Sequence, residues 1–276
     1  MDTDTTFGFP SVDCYTGTLL GINLPAVAPG SAAVVECARR LCCEASYSFV
    51  HALWWLSLTD GRRLVSVPPG AGPAVARALA QIDAHGGCLN PAAVRWLRAP
   101  VDEALVTAGL RPTARVIQDL CFACSGARLR RHHDGNCCRL TDGSVPPAEG
   151  LHLPAHCFPD GIVYGVIIDG RIASVAYAHR TGIMEGTVAD IGVETAPAYR
   201  RRGYARTAVS AVVAHVAQQG GEARYACGAG NLASAATARS VGFVPYARSL
   251  ILAAPSPMSS EAHPTAPPGA GGTRPD

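Results

Sequence analysis

The 276-residue chain is long enough for one large domain or two smaller ones, and 48% apolar against 16% charged residues excludes a wholly disordered protein. Its net charge is +2 and all 23 basic residues are arginines, so we expect no long basic surface and no nucleic-acid partner. The amino terminus lacks the pattern of a secretory signal, and the longest uncharged run of the C-terminal half, 207–221, is too short to span a membrane. We therefore expect a cytoplasmic protein without membrane contact, whose eleven cysteines are reduced thiols.

The first half of the chain predicts a mixture of helices and strands. Ser31 is placed to cap a helix that runs to Glu44, because apolar residues between them repeat at helical spacing. A hairpin follows, with strands at 47–58 and 64–67 around the turn Thr59-Asp60-Gly61. The remaining elements expected in this half are helices at 73–85, 91–97 and 101–108 and a strand at 115–124.

A domain boundary is predicted near residue 130, where the composition turns polar and basic. We expect a smaller α+β domain over 1–130, a second α/β domain with a mixed sheet over 131–253, and a disordered Pro-, Ser- and Gly-rich tail over 254–276. The elements expected in the second domain are strands at 137–140, 162–168, 172–178, 187–195, 223–228 and 243–252 and helices at 204–219 and 233–241.

The most informative segment, 189–205, leads from a predicted strand through a Pro turn into RRRGYA and then directly into a helix. The first N–H groups of a helix have no intrahelical partner, and the helix dipole favours negative charge there. Gly203 and Ala205 leave the backbone accessible to a bulky ligand. The segment therefore predicts an anion site; the alternative is an ordinary strand-turn-helix with solvated arginines.

This segment resembles the pyrophosphate-binding motif of the GNAT superfamily of N-acetyltransferases, Q/R-x-x-G-x-G/A, with Arg200, Gly203 and Ala205 at its defining positions. A second element of the family, an N-x-x-S helix that ends in G-F, is matched by Asn231, Ser234 and Gly242-Phe243. The resemblance covers a little under half of the chain and is closest to members with an additional N-terminal domain. It implies a C-terminal GNAT fold.

The resemblance also implies the donor, acetyl-CoA or another acyl-CoA, and no metal. In the family the central strand splays from its neighbour, so that its backbone pairs with pantetheine; Val193 and Thr195 would supply those groups here. The N–H groups of the loop would take the pyrophosphate, and the Asn231 amide would bond the pantetheine arm. The implied donor-binding residues are Val193, Thr195, Arg200, Arg201, Arg202, Gly203, Tyr204, Ala205, Asn231 and Ser234.

Catalysis in the family is commonly direct attack of an amine on the thioester, which requires a base for the ammonium and an acid for the leaving thiolate. Asp190 and Glu194 lie four residues apart on one predicted strand, so they share a face, and either is a candidate base. The alternative for Glu194 is that it caps the next helix or pairs with an arginine. Many members carry a Tyr as the acid in the N-x-x-S helix, but Ala238 stands there. The hydroxyls and thiol that could replace it belong to Thr237, Ser240, Tyr246 and Cys227.

These observations predict an N-acyltransferase that acts on an amine of a small molecule or peptide, in biosynthesis or resistance, as a monomer or homodimer. The N-terminal domain would shape the acceptor side. Two alternatives stay open: a transferase whose donor is the phosphopantetheine thioester of an acyl carrier protein, and a non-catalytic protein that binds acyl-CoA.

Two weaker signals have simpler alternatives. Cys121, Cys124, His132-His133 and Cys137-Cys138 could be assembled into a zinc site, but Cys121 and Cys124 should point to opposite faces of their strand. Trp54 and Trp55 should likewise point to opposite faces, one into the core and one outward, where it could line an acceptor pocket.

Overall fold

A single ten-stranded sheet organises the protein. The computed structural model describes residues 8–43, 49–85, 87, 90–153, 158, 161–179 and 187–256. The strands are Ala32–Glu36 (β1), Phe49–Leu58 (β2), Arg63–Val67 (β3), Arg115–Cys124 (β4), Cys137–Arg139 (β5), Ile162–Ile168 (β6), Arg171–His179 (β7), Val188–Thr195 (β8), Glu222–Gly228 (β9) and Val244–Pro255 (β10). Their order in the sheet is β1-β3-β2-β10-β4-β9-β8-β7-β6-β5, and neighbours are antiparallel except β1–β3 and β8–β9.

Helices cover both faces of this sheet. They are Pro10–Leu20 (α1), Gly72–Ala84 (α2), Pro91–Thr107 (α3), Tyr204–Gln218 (α4) and Leu232–Val241 (α5). The helices α2 to α5 pack on one face, where Trp55, Phe122 and Val209 are buried. The helix α1 packs on the other face, where Trp54 and Cys121 are buried. None of the described helices has the length and apolar character needed to cross a membrane.

The C-terminal half follows its sequence pattern closely. The hairpin of β6 and β7 turns at Asp169 and Gly170, whose φ angles of 48° and 71° are those the predicted turn requires. The helix α4 buries a row of small apolar residues against β6 to β9, because valines and alanines recur on one side of it. These elements are confirmed, with boundaries that differ from the prediction by at most three residues.

The predicted helix from Ser31 to Glu44 is wrong. Residues 32–36 form β1, which runs parallel to β3 with Ala33 beside Leu64. The segment contains adjacent β-branched valines and is only five residues long, so pairing with β3 stabilises it more than a helix would. Ser31 instead donates a hydrogen bond to the Ala28 carbonyl in the preceding turn.

Three further elements differ from the prediction. The helix α1 was not predicted, and α3 continues through Pro100 where two helices were expected. The strand β10 extends to Pro255, so Ala254 lies in the sheet rather than in the predicted tail; residues 257–276 lie outside the described residues.

The strand β4 joins the two halves of the chain. It lies before the predicted boundary near residue 130, yet it is placed between β9 and β10, both from the second half. The sheet therefore has no break at that boundary, and the division into domains at 1–130 and 131–253 stays a prediction.

Candidate active site

A cleft opens in the sheet where β8 and β9 separate. The two strands run parallel and pair at Val188↔Glu222, Ala189↔Ala223 and Asp190↔Arg224. Over the described residues of both strands, pairing ends there, although β8 continues to Thr195 and β9 to Gly228. One backbone edge of β8 is thereby left without a neighbouring strand.

The backbone of β8 presents alternate residues to this cleft. The Ala196 N–H donates to the Ala173 carbonyl of the β7 side at 3.0 Å. Because hydrogen-bonded pairs alternate along an antiparallel ladder, Glu194 and Gly192 also direct their backbone groups to β7. Val193 and Thr195 therefore direct theirs to the cleft. The Thr195 carbonyl already accepts a hydrogen bond from Arg200 Nε at 3.2 Å.

The loop that follows β8 has the backbone conformation of an anion site. Arg201 and Gly203 both adopt positive φ, 62° and 89°, which turns successive N–H groups toward one side. The helix α4 then begins at Tyr204 with no side-chain cap on its first N–H groups. A left-handed conformation at a non-glycine residue such as Arg201 costs about 1–3 kcal/mol of backbone strain.

The arginine side chains of the loop are only partly engaged within it. Arg200 holds the Thr195 carbonyl, and the Arg202 guanidinium lies 5.5 Å from the centre of the Tyr199 ring. All three arginines are exposed at the surface, where an anionic ligand could reach them.

The second motif forms the first turn of α5. The Asn231 side-chain oxygen accepts a hydrogen bond from the Ser234 N–H at 3.1 Å, so it caps the helix and only the Nδ2 group could meet a ligand. The Ser234 hydroxyl lies 2.6 Å from the hydroxyl of Tyr225 on β9. Burial raises the pKa of Tyr225, so this tyrosine stays protonated and able to donate. Sequence reasoning missed Tyr225, because it lies outside both motifs.

The hydroxyls considered as replacements for the missing tyrosine have other partners. Thr237 and Ser240 donate to carbonyls of their own helix, those of Ala233 and Thr237. Tyr246 donates to Asp13 of α1 at 2.6 Å. Cys227 is buried on β9, and burial raises its thiol pKa.

Asp190 is held in an ion pair rather than directed freely at the cleft. Arg224 Nη1 on β9 lies 3.1 Å from both of its carboxylate oxygens, and the Tyr15 hydroxyl of α1 donates to Asp190 at 3.4 Å. The Arg224 guanidinium also lies 5.4 Å from the centre of the Tyr15 ring.

Glu194 has a different environment from Asp190. Its carboxylate lies 3.4 Å from His152 Nδ1 in a solvent-exposed pair, so the partner that the structure shows is a histidine and not the arginine of the alternative. The alternation along β8 keeps Asp190 and Glu194 on one face, but only Asp190 lines the cavity beside the cleft.

That cavity has a volume of about 400 Å³ and lies on the α1 face of the sheet. Its wall combines the rings of a phenylalanine, a tryptophan and a tyrosine with three isoleucines, one alanine and five charged or histidine side chains. The lining residues are Phe49, His51, Trp54, Ile117, Asp119, Tyr177, His179, Asp190, Ile191, Gly192, Arg224, Ala226 and Ile251. Trp54 is buried here, so the outward-pointing tryptophan expected from the sequence lines a pocket inside the protein.

Glycine at position 192 is required by the tyrosine above it. A Cβ atom at Gly192 would lie 2.3 Å from the Tyr177 ring, so the ring sits directly on the β8 backbone. Close packing over a glycine in a strand is typical of a position where a ligand or side chain approaches the backbone.

Two ionisable groups of the cavity have shifted pKa values. Burial raises the pKa of Asp119 above its usual 3.8, and the nearby Arg224 charge lowers it by less. Burial and, less, the Arg40 charge lower the pKa of His51 to about 4, so His51 is neutral near pH 7. Sequence reasoning missed Asp119; the available signal was a lone carboxylate within an otherwise apolar and uncharged stretch, 116–124.

The cysteines and histidines considered for zinc are dispersed. Cys121 and Cys124 are buried in cores on opposite faces of the sheet, as predicted, and His132 Nε2 lies 3.0 Å from the Ser240 carbonyl. Within the described ranges, no three or more ligand-type side chains are grouped to hold a metal ion.

Comparisons with known proteins agree with this geometry. The model of the acetyltransferase (GNAT) family matches residues 137–243. Among solved structures, the chain is similar to a GNAT-family protein from Novosphingobium aromaticivorans, at 27% identity over 52% of this chain and 67% of that one, with a TM-score of 0.44. It is also similar to a GCN5-related N-acetyltransferase from Kribbella flavida, at 16% identity over 62% and 79% of the two chains, with a TM-score of 0.41.

A third similar structure is an acetyltransferase from Colwellia psychrerythraea, at 14% identity over 51% of this chain and 58% of that one, with a TM-score of 0.41. A search of curated proteins returned no significant match. The comparisons therefore identify residues 137–243 as the part of this chain that matches the acetyltransferase (GNAT) family, whose members transfer acyl groups.

Proposed function

We propose that the protein transfers an acyl group, acetyl in the simplest case, from acyl-CoA to an amine of a small molecule or peptide. The observation that carries this proposal is the separation of β8 from β9 immediately before an uncapped helix N-terminus. The first feature suits a pantetheine arm that pairs with backbone as an added strand, and the second suits a pyrophosphate.

In this proposal each donor-binding residue has a distinct task. The backbone groups of Val193 and Thr195 pair with the amide groups of pantetheine. For this pairing, the Thr195 carbonyl must give up its hydrogen bond from Arg200 and accept one from the ligand. The N–H groups of 201–205 bind the pyrophosphate, and the released Arg200 side chain adds charge there. The Asn231 Nδ2 group meets the arm from α5, and Ser234 holds Tyr225 beside the cleft.

The leaving thiolate needs a proton, and the protein offers one without the usual tyrosine. The Tyr225 and Ser234 hydroxyls are hydrogen-bonded to each other between β9 and α5, on the side of the sheet that holds α4. We propose this pair as the proton donor in place of a residue at 238.

The sequence suggested two carboxylates of β8, Asp190 and Glu194, as candidate bases. Asp190 lines the cavity beside the cleft, whereas Glu194 does not, so Asp190 is the better placed of the two. Its ion pair with Arg224 would have to open before it could take a proton.

The donor site is tested by a pair of glycine substitutions at the two ends of α4. Gly203 and Gly220 both have positive φ, 89° and 77°, so a valine at either position introduces comparable backbone strain. Only Gly203→Val places a branched side chain in the proposed pyrophosphate loop. We expect calorimetry to show CoA affinity reduced at least about tenfold in Gly203→Val and unchanged in Gly220→Val. Unchanged affinity in a folded Gly203→Val protein would refute the donor site.

A further inference from the structure

We propose that Asp119 binds the ammonium group of the acceptor and takes its proton, and that the cavity around Asp119 accepts a compact amine with an apolar or aromatic body. This inference rests on the proposed acyl transfer and names the acceptor side of that reaction. It assigns the base to β4, a strand from the first half of the chain, rather than to β8.

The strand register places Asp119 between an apolar surface and the donor cleft. Ile251 of β10 pairs with Trp54 on one side and with Ile117 on the other, so these three side chains form a row across the cavity floor. Asp119 lies two residues from Ile117 on the same face of β4. The other edge of β4 pairs with β9. There Asp119 lies opposite Gly228, at the end of β9 that borders the cleft. An amine held at Asp119 would therefore have its apolar body on the row and its nitrogen toward the thioester.

Of the two carboxylates that line the cavity, Asp119 is the better placed to bind a cationic ligand. Arg224 and Asp190 neutralise each other in their ion pair, and His51 is neutral near pH 7. His179 and Tyr177 complete the polar wall. Among the described residues, no side chain or backbone group donates a hydrogen bond to the Asp119 carboxylate, so an incoming ammonium would supply a missing partner.

The size of the cavity sets the class of acceptor. A volume of about 400 Å³ lies at the small end of the usual range for small-molecule sites. Its apolar row suits an aryl or alkyl group attached to a primary amine. The backbone of a peptide would need hydrogen-bond partners in the cavity. The isoleucines of the apolar row, Ile117 and Ile251, offer none.

The proposed step conserves protons and electrons. Asp119 takes one proton from the ammonium, and the freed lone pair of nitrogen forms a bond to the thioester carbon. When the tetrahedral intermediate collapses, the carbon–sulfur bond breaks and sulfur leaves with the bonding pair. The second nitrogen proton ends on that thiolate, and Asp119 later releases its proton to water. A carboxylate whose pKa is raised by burial is better matched to this task than a fully solvated one.

Two asparagine variants of the same cavity test the assignment, with phenethylamine as the probe amine and acetyl-CoA as the donor. We expect Asp119→Asn to lower kcat/KM for phenethylamine by about 10²–10⁴-fold while CoA affinity and melting temperature do not fall. Asp119→Glu should recover part of the rate, and the acidic limb of the pH–rate profile should be absent in Asp119→Asn. Asp190→Asn should instead lower the melting temperature, because it leaves Arg224 buried without its partner.

The outcomes separate this inference from the acyl transfer itself. Failure of wild-type protein to bind CoA would refute the proposed function. A wild type that binds CoA but neither binds nor acetylates phenethylamine would overturn the acceptor assignment, as would an Asp119→Asn variant with wild-type turnover. The Asp119→Asn variant could also lose its activity because it no longer folds. In that case, an Asp119→Glu variant that folds but has no activity would overturn the assignment as well.

Discussion

At the scale of single residues, the candidate site combines side chains held by short local motifs with side chains that distant strands bring together. Arg200, Gly203 and Asn231 belong to short motifs whose loop and helix-cap geometry is set by neighbours in the chain. Asp119 reaches the cleft only because β4 is inserted beside β9, a contact between residues more than one hundred positions apart. The ion pair of Asp190 with Arg224 likewise depends on the pairing of two strands that a helix separates.

The raised pKa of Asp119 predicts how stability depends on pH. Because the folded protein binds this proton more tightly than the unfolded chain does, the contribution of Asp119 is most favourable below pH 3.8 and is lost as the pH rises through the folded-state value. Asparagine has the same shape and no charge. We expect Asp119→Asn to be at least as stable as wild type in urea at about pH 7, with the difference reduced toward about pH 4. A variant less stable than wild type at both pH values would show that the carboxylate supports the fold.

At the scale of elements, the helix α1 is stabilised at its start by a residue that is distant in the sequence. Its N-cap residue, Phe9, has no side-chain acceptor, and its first turn is served by Glu222 of β9, whose Oε2 accepts from the Val12 N–H at 3.0 Å. This cap comes from a residue 210 positions away, so no local signal marked the helix start. In β1 the opposite error occurred: apolar residues at helical spacing formed a strand because β3 offered a parallel partner.

Removal of the cap should loosen α1 without affecting the donor site. We expect Glu222→Ala to lower the free energy of unfolding by about 1 kcal/mol, whereas Glu222→Gln keeps an oxygen that can accept from Val12 and should lose less. Chemical denaturation of the two variants provides the measurement. Equal losses in both would mean that charge, rather than the capping oxygen, holds the helix.

At the scale of the whole molecule, the region that matches the GNAT family model, 137–243, shares its sheet with the first half of the chain. The family pattern predicted the order of elements from β5 to β10, since these follow one another in sequence and in the motifs. It did not predict that β4 would separate β9 from β10, or that β2 would continue the sheet beyond β10. Both contacts bring first-half residues, such as Trp54 and Ile117, to the cavity.

The central claim, that the donor occupies the opening between β8 and β9, is tested most directly by residue-resolved amide hydrogen exchange with and without CoA. The N–H groups of Gly192 and Glu194 point to β7 and should exchange slowly in both states, whereas those of Val193 and Thr195 point to the cleft. We predict that CoA slows exchange at Val193 and Thr195 and in the loop of 201–205, with little change at Gly192 and Glu194. Bound CoA that leaves exchange at Val193, Thr195 and the loop unaltered would contradict the account.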